Sequence, residues 1–446
     1  MGSVLQTDNI EGRQISISDG SQPMKTQEGY AGESYHTRLV GFSDLQGRDT
    51  LQVTLKGDWC YVGHLPGNRF NPLTGQSEDS GTTILNVSEP KNPTIVSHIP
   101  GASGANCRAV QVVENYHDGN DYLIRNHETK TAWGFQIFKI TDRSHPVYVS
   151  CMTGTPAGPL TFAHKGWWDE ASGLYFAAAG EPGFRAGAHL VIWDLSNPYD
   201  PKYVSNHWLR GQKLTEPDPG GRGLSLHHPV VDLENKKVYL SYQKGGNVAV
   251  LDISNISNPA TILNSSIEPP FEGVHTSMPF YGVKCPNFTP GFGDIRDFIV
   301  FTNEALDAGF QGQEIRRALF MLDVTAWNNP IMVDTFKVPD GDFCQRGGRF
   351  GPHQFAETRD GKLYSLKDNN NLLYLAYFSA GLRVIDLSDP YDMKEVGYFI
   401  PKTTATTAPR LKVVIQTNDV DIDHRGLAYI TDRAGTGLHI IEYLGK

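Results

Sequence analysis

Four histidines occupy corresponding places along this chain. His164, His227, His275 and His353 each end a loop and open an apolar segment, in the contexts Phe-Ala-His, Ser-Leu-His, Gly-Val-His and Gly-Pro-His. His164 precedes Tyr175 by 11 residues and His227 precedes Tyr239 by 12, the relation in which Asn418 stands to Tyr429. The chain has 15 histidines in 446 residues, so four at one structural position call for a common cause. Neutral imidazoles carried on rigid strands suit a borderline cation: Fe, Cu, Zn, Ni or Mn. A ligating histidine generally gives its other ring N–H to a carboxylate, and Glu128, Glu181 and Glu304, at the ends of adjoining segments, are the expected partners. The alternative is that the four rings line a wet channel and the glutamates are solvated.

The elements that position these residues come from a repeat. In Gly381–Phe399, GLRVIDLSDPYDMKEVGYF, Asp386 is followed by a hydroxyl residue at plus two and Val396 at plus ten. The same register recurs from Asn86, Lys139, Asp194, Asp252 and Asp323, with Pro93, Pro146, Pro201, Pro259 and Pro330 at plus seven. A short apolar run, a Ser/Thr and Asn/Asp turn and a second run past the proline read as two strands around a tight turn. Intervals of roughly 53 to 71 residues suit four-stranded units, the blades of a propeller. Gly437–Glu442 resembles the strand before the turn but lacks an outer partner, and Leu39-Val40-Gly41-Phe42 matches Glu395-Val396-Gly397-Tyr398. The expectation is an all-β, seven-bladed propeller over residues 36–446, a single domain closed by an N-terminal strand and preceded by a polar extension over residues 1–35.

This repeat resembles that of the LVIVD-repeat proteins. Four histidines backed by glutamates in such a propeller also resemble the iron site of carotenoid-cleavage oxygenases and the metal-binding propeller of selenium-binding proteins. That resemblance rests on His164, His227, His275 and His353 with Glu128, Glu181 and Glu304. It implies one transition-metal ion, with Fe(II) favoured and Cu, Mn or Zn as alternatives, activating dioxygen for an oxygenase or oxidase. The same Lewis acidity serves a lyase or a hydrolase, and a non-enzymatic interaction propeller is the competing class.

Gly- and Pro-rich loops, 153–160, 211–223, 264–273 and 340–352, are expected to cover one mouth of the channel. They carry Arg222, Arg346 and Arg349, and Arg185 lies on a neighbouring loop. With Phe184, Phe271, Phe343 and Phe350, these suit a small aromatic or carboxylate-bearing substrate. His64 and His127 close second strands on that rim and, with Arg222 and Arg349, are the candidate catalytic residues. Lys165 and His228 directly follow two ligands and, by strand alternation, should face away from the axis. Asp419, Asp421 and Asp423 alternate along a strand but lack the glycine and closing glutamate of a calcium loop.

Composition narrows the partners. With 39 basic and 49 acidic residues the net charge is -10, which argues against a nucleic-acid or anionic-membrane surface. Five cysteines without a CxxC pair indicate neither a disulfide framework nor a cysteine zinc site, and a reduced cytoplasmic setting is the simpler expectation. No apolar run reaches membrane-spanning length. The chain lacks the nucleophile elbow, phosphate loop, dinucleotide turn and HExxH pair.

Overall fold

Each copy of the repeat folds as the outer hairpin of one blade, and its turn chemistry explains its consensus. The carboxylate or amide at position zero accepts the backbone N–H two residues on: Ser88 to Asn86, Ser196 to Asp194, Ser254 to Asp252, Thr325 to Asp323 and Ser388 to Asp386, all at 2.7–2.9 Å. These are Asx turns. The plus-two hydroxyl has its own task in two copies, where Thr141 and Thr325 accept the N–H of Asp121 and Asp297 ahead of the second strand.

The computed structural model describes residues 32–221, 223–267, 273–285, 288, 293–304, 316–403 and 414–445. Seven antiparallel blades follow one another around a central channel. Blades one to five run from Thr50–Lys56 to Thr94–Pro100, Val110–Val113 to Val147–Met152, Phe162–Trp168 to Lys202–His207, Ser225–Asp232 to Ala260–Ser266, and Val274–Lys284 to Ile331–Phe336. Blade six contains Leu372–Ala376, Leu382–Asp386 and Lys394–Ile400, and blade seven Thr417–Ile422, Ala428–Asp432 and Leu438–Tyr443.

Closure follows the expected route and goes one strand further. Thr37–Ser43 pairs with Leu438–Tyr443 and completes blade seven. Glu33–Tyr35, counted in sequence with the leading extension, pairs with Lys394–Ile400 of blade six. The N-terminal segment therefore bridges two blades and covers two sheet edges. The enlarged hairpin after His353 also crosses over, because Thr358–Arg359 lies parallel to Thr417–Ile422 of the next blade.

Neighbouring blades are tied near the axis by side chains that take up innermost-strand N–H groups. Asp419 and Asp421 accept from Val53 and Leu55 of blade one at 2.9 and 2.8 Å, and Gln52 accepts from Val110 of blade two at 3.0 Å. The alternating aspartates are thus structural hooks. Between the blades the cores are apolar, with Phe301 stacked on Phe320 and the alanine-rich strand Leu174–Gly180 buried almost throughout. The five cysteines are unpaired, and among the described residues no helix is long and apolar enough to cross a membrane.

His439 of blade seven is fully buried between Phe42 and Phe399, and neither ring nitrogen has a partner. Burial lowers its pKa from 6.5 to about 3. The unfolded chain therefore takes up this proton first, so the stability held above pH 6.5 is lost as pH falls towards 3. His439→Leu is expected to hold an advantage at pH 5 that is about 2 kcal/mol larger than at pH 7.5. Urea unfolding at the two pH values measures it, and a pH-independent difference would contradict the assignment.

Candidate metal centre

The innermost strands are irregular at the histidines. Their register against the second strand slips between Ala163 and Gly166, between Leu226 and His228, and between Val274 and Ser277. A bulge breaks the two-residue alternation and re-aims side chains. Blade seven slips in the same place, around Asn418. In blade six the innermost place is taken by residues 353–356, which reach the next strand through His353 N–H to the Ala376 carbonyl (2.9 Å) and Ala376 N–H to that of Gln354 (2.8 Å).

As a result the four histidines form a continuous arc. Ring centroids are 4.3 Å apart for His164–His227, 3.8 Å for His227–His275 and 4.0 Å for His275–His353. All four line a chamber of about 930 Å³ at the mouth of the channel. Burial lowers every one of their pKa values, that of His164 to about 4 and the other three well below 6.5. They are neutral at pH 7, the state a metal needs.

Their tautomers are fixed by what each Nδ1 meets. His353 Nδ1 donates to the Asn418 carbonyl at 2.5 Å, and His164 Nδ1 faces the Glu128 carboxylate at 3.4 Å. His275 Nδ1 lies 2.8 Å from the Thr276 hydroxyl, which is itself 3.4 Å from Glu357 Oε1 and donates there. His227 Nδ1 lies 3.1 Å from His228 Nδ1, while His228 Nε2 is 2.6 Å from Glu357 Oε1. The His228 Nε2 contact lies off the hydrogen-bond line, but a bare nitrogen this close to a carboxylate would repel it, so His228 carries its proton on Nε2 and its Nδ1 accepts from His227. Each of the four rings is thereby protonated at Nδ1 and bare at Nε2.

Two of the bare nitrogens lie at close range. His164 Nε2 and His227 Nε2 are 2.8 Å apart, where two lone pairs repel unless a proton or a metal ion is shared between them. Imidazole nitrogens that shared one ion at ~2.0–2.1 Å would lie roughly 2.9–3.4 Å apart, so this pair is near enough to hold one. At the other end of the arc Glu304 adds a carboxylate, its Oε1 3.5 Å from His353 Nε2 and 3.0 Å from Arg349 Nη1. Donor atoms of His275, Glu304 and His353 lie within 4.8 Å of one another, as do those of His227, His228 and His275, whereas no three of the four arc histidines meet that spacing together.

Below the arc sits a buried polar layer that strand alternation hides. Lys165 and His228, expected to face outward, instead converge from blades three and four on Glu357, with Lys165 Nζ 2.9 and 3.0 Å from its two oxygens. The bulges around Lys165 and His228 are the reason. Burial alone would raise the Glu357 carboxyl, but His228 and Lys165 outweigh it and hold it at about 2.

Other expected residues fall differently. Glu128 backs His164 and also pairs with Arg108. Glu181 backs none of the four, because His189 Nε2 and Asn206 Nδ2 occupy its carboxylate at 2.6 Å each. Glu304 sits on the Nε2 side of His353 and not behind it. His64 is sealed between the Thr83 hydroxyl (2.7 Å) and the Asp49 carbonyl (3.3 Å), and burial pushes its pKa far down, so it cannot serve as a base in the chamber. His127 takes the N–H of Ala102 on the other face of its strand and is also outside the chamber. Arg349 lines the chamber on Glu304, whereas Arg346 is held by Glu33 and Asp342. Arg185 lines the chamber while its guanidinium binds the carbonyls of Gly211, Lys213 and Glu216. Arg222 and Phe271 lie outside the described residues.

The comparisons bear on the fold. The LVIVD repeat matches residues 238–265 and 361–400, so the chain carries LVIVD repeats in blades four and six. A hypothetical selenium-binding protein from Sulfolobus tokodaii is 11% identical, with a TM-score of 0.54 over 88% of this chain and 92% of that one. Sqt1 of Chaetomium thermophilum is 8% identical, with a TM-score of 0.53 over 91% of this chain and 97% of its own. A periplasmic gluconolactonase of Pseudomonas aeruginosa is 14% identical, with a TM-score of 0.49 over 79% and 88% of the two chains. Identities this low speak to the shared propeller alone. No curated protein matches the sequence.

Proposed function

We propose that this LVIVD-repeat propeller is a metal-dependent enzyme that binds one transition-metal ion at His164, His227, His275 and His353 and acts as an oxygenase or oxidase on a small organic substrate. The observation that carries this reading is the tautomer pattern: four unrelated Nδ1 partners leave four bare Nε2 atoms on one chamber. Fe(II) is the favoured ion, with Cu, Mn and Zn as alternatives. When bound, such an ion supplies Lewis acidity and, for Fe or Cu, redox chemistry towards dioxygen.

The chain supplies the rest. Glu128, His228, Thr276 and the Asn418 carbonyl orient the rings. Glu304, with Oε1 between Arg349 and His353, replaces His64 and His127 as the group that accepts a substrate proton. Phe162, Pro182, Phe184 and Ala186 give the chamber apolar wall that limits water around the substrate.

Dioxygen uptake by the Fe(II)-loaded protein, screened against small aromatic and carboxylate compounds, tests the reading. Compound-dependent uptake that disappears in His275→Ala is expected. Turnover that continues unchanged under argon would replace the oxygenase with a lyase or hydrolase, and a folded protein that holds no metal would leave an interaction propeller.

A further inference from the structure

Arg433 follows the second strand of blade seven and lines the chamber beside Arg349 and Arg108. The other two have carboxylates: Arg349 pairs with Glu304 and Arg108 with Glu128. Arg433 pairs with no carboxylate among the described residues. Its one side-chain hydrogen bond among the described residues runs from Nε to Asn418 Oδ1 at 2.8 Å, and neither terminal nitrogen is engaged by any of them. Burial, with Arg349 next in effect, brings its pKa down to about 9. Two guanidinium groups side by side, of which only Arg349 has a carboxylate, repel each other unless an anion joins them.

The local backbone supports the same point. Both guanidinium groups lie against Phe378, 5.2 Å (Arg433) and 5.6 Å (Arg349) from its ring centroid, and that ring is 4.9 Å from His353. Phe378 has φ of 35°, a left-handed conformation that is strained for a bulky side chain. Such strain persists where the surroundings demand a particular placement. Asn418 completes the unit, since its carbonyl holds His353 Nδ1 and its amide oxygen holds Arg433.

We infer that Arg433 and Arg349 form a carboxylate clamp beside the histidine arc, and that the chamber takes an organic carboxylate whose apolar body lies against Phe162, Pro182 and Phe184. This rests on the reading of the chamber as a small-molecule site, but not on the presence of a metal. The carboxylate spans the two guanidinium groups as a bidentate acceptor, which presents the adjoining carbon to the Nε2 side of the histidines. An inorganic oxyanion offers the same charge without the apolar body, so the two are separated by experiment.

Benzoate is titrated calorimetrically into the purified full-length chain, before and after chelator treatment, with benzamide and inorganic phosphate run alongside. Benzoate is expected to bind in both states, benzamide not to bind, and Arg433→Gln to weaken benzoate by about tenfold or more. Arg433→Lys, which keeps the charge, is expected to lose less and guards against a folding defect in the glutamine variant. The clamp is overturned if benzoate does not bind, if a folded Arg433→Gln binds it unchanged, if benzamide binds equally well, or if phosphate binds more tightly. Metal content measured on the same samples keeps the two readings apart: metal without benzoate binding discards the clamp alone, and benzoate binding without metal discards the metal centre alone.

Discussion

Lys165→Met is expected to destabilise the protein by about 3–5 kcal/mol, the usual cost of removing one member of a buried ion pair. Lys165 and Glu357 are each only 6% exposed at the side chain, and the ammonium touches both carboxylate oxygens. Without it, a buried carboxylate keeps only His228 and Thr276 as partners among the described residues. Adding Glu357→Gln should recover most of the loss, because a neutral amide no longer needs the cation while its oxygen still accepts from His228. Denaturant unfolding of the wild type, both single variants and the double variant gives the coupling directly. Additive losses would show that the pair is not a unit.

The second large effect is on metal affinity and is read in that stabilised background. With Lys165→Met present, Glu357→Leu is expected to weaken metal binding about 10–100-fold relative to Glu357→Gln, the usual scale for loss of a ligand-orienting partner. Leucine offers nothing to the His228 Nε2–H or to the Thr276 hydroxyl. His228 is then free to carry its proton on Nδ1, where it opposes the proton on His227, and His275 loses the hydroxyl that fixed it. Competition of Zn(II) between the protein and a chromogenic chelator measures the ratio. Equal affinities in the two variants would show that Glu357 carries no orienting role.

These residues mark how far the sequence could be read. The blades were legible because five of the six repeats spell an Asx turn, and the Asp386–Ser388 and Asp194–Ser196 bonds are the physical content of that consensus. The four histidines were legible because they share one place in successive units. Their orienting partners were not, Glu128 excepted. A bulge at His164, His227 and His275 overrides alternation, so Lys165 and His228 turn towards Glu357, and Glu357 itself lies on a segment outside the regular strands. Glu181 was misassigned because a strand end fixes a rim position but not a side-chain direction, and His189 on the next strand lies nearer.

One signal was available and unused. The second strands of blades three and five are followed directly by Glu181 and Glu304, and in blade seven the same step reaches Arg433. In blade six the same step reaches Tyr377, one residue short of the strained Phe378. The position of the glutamates, carried into blade seven, therefore marks Arg433 in the sequence alone. The bare Nε2 atoms were beyond sequence, since they follow from four different hydrogen bonds.

Elemental analysis of the purified full-length chain beside a His227→Ala, His353→Ala variant of equal secondary structure tests the metal centre most directly. A near-stoichiometric amount of Fe, Cu, Mn or Zn in the first and its loss in the second is the predicted result. A folded wild type that retains no metal even after reconstitution, or a variant that keeps it, would contradict the four-histidine site.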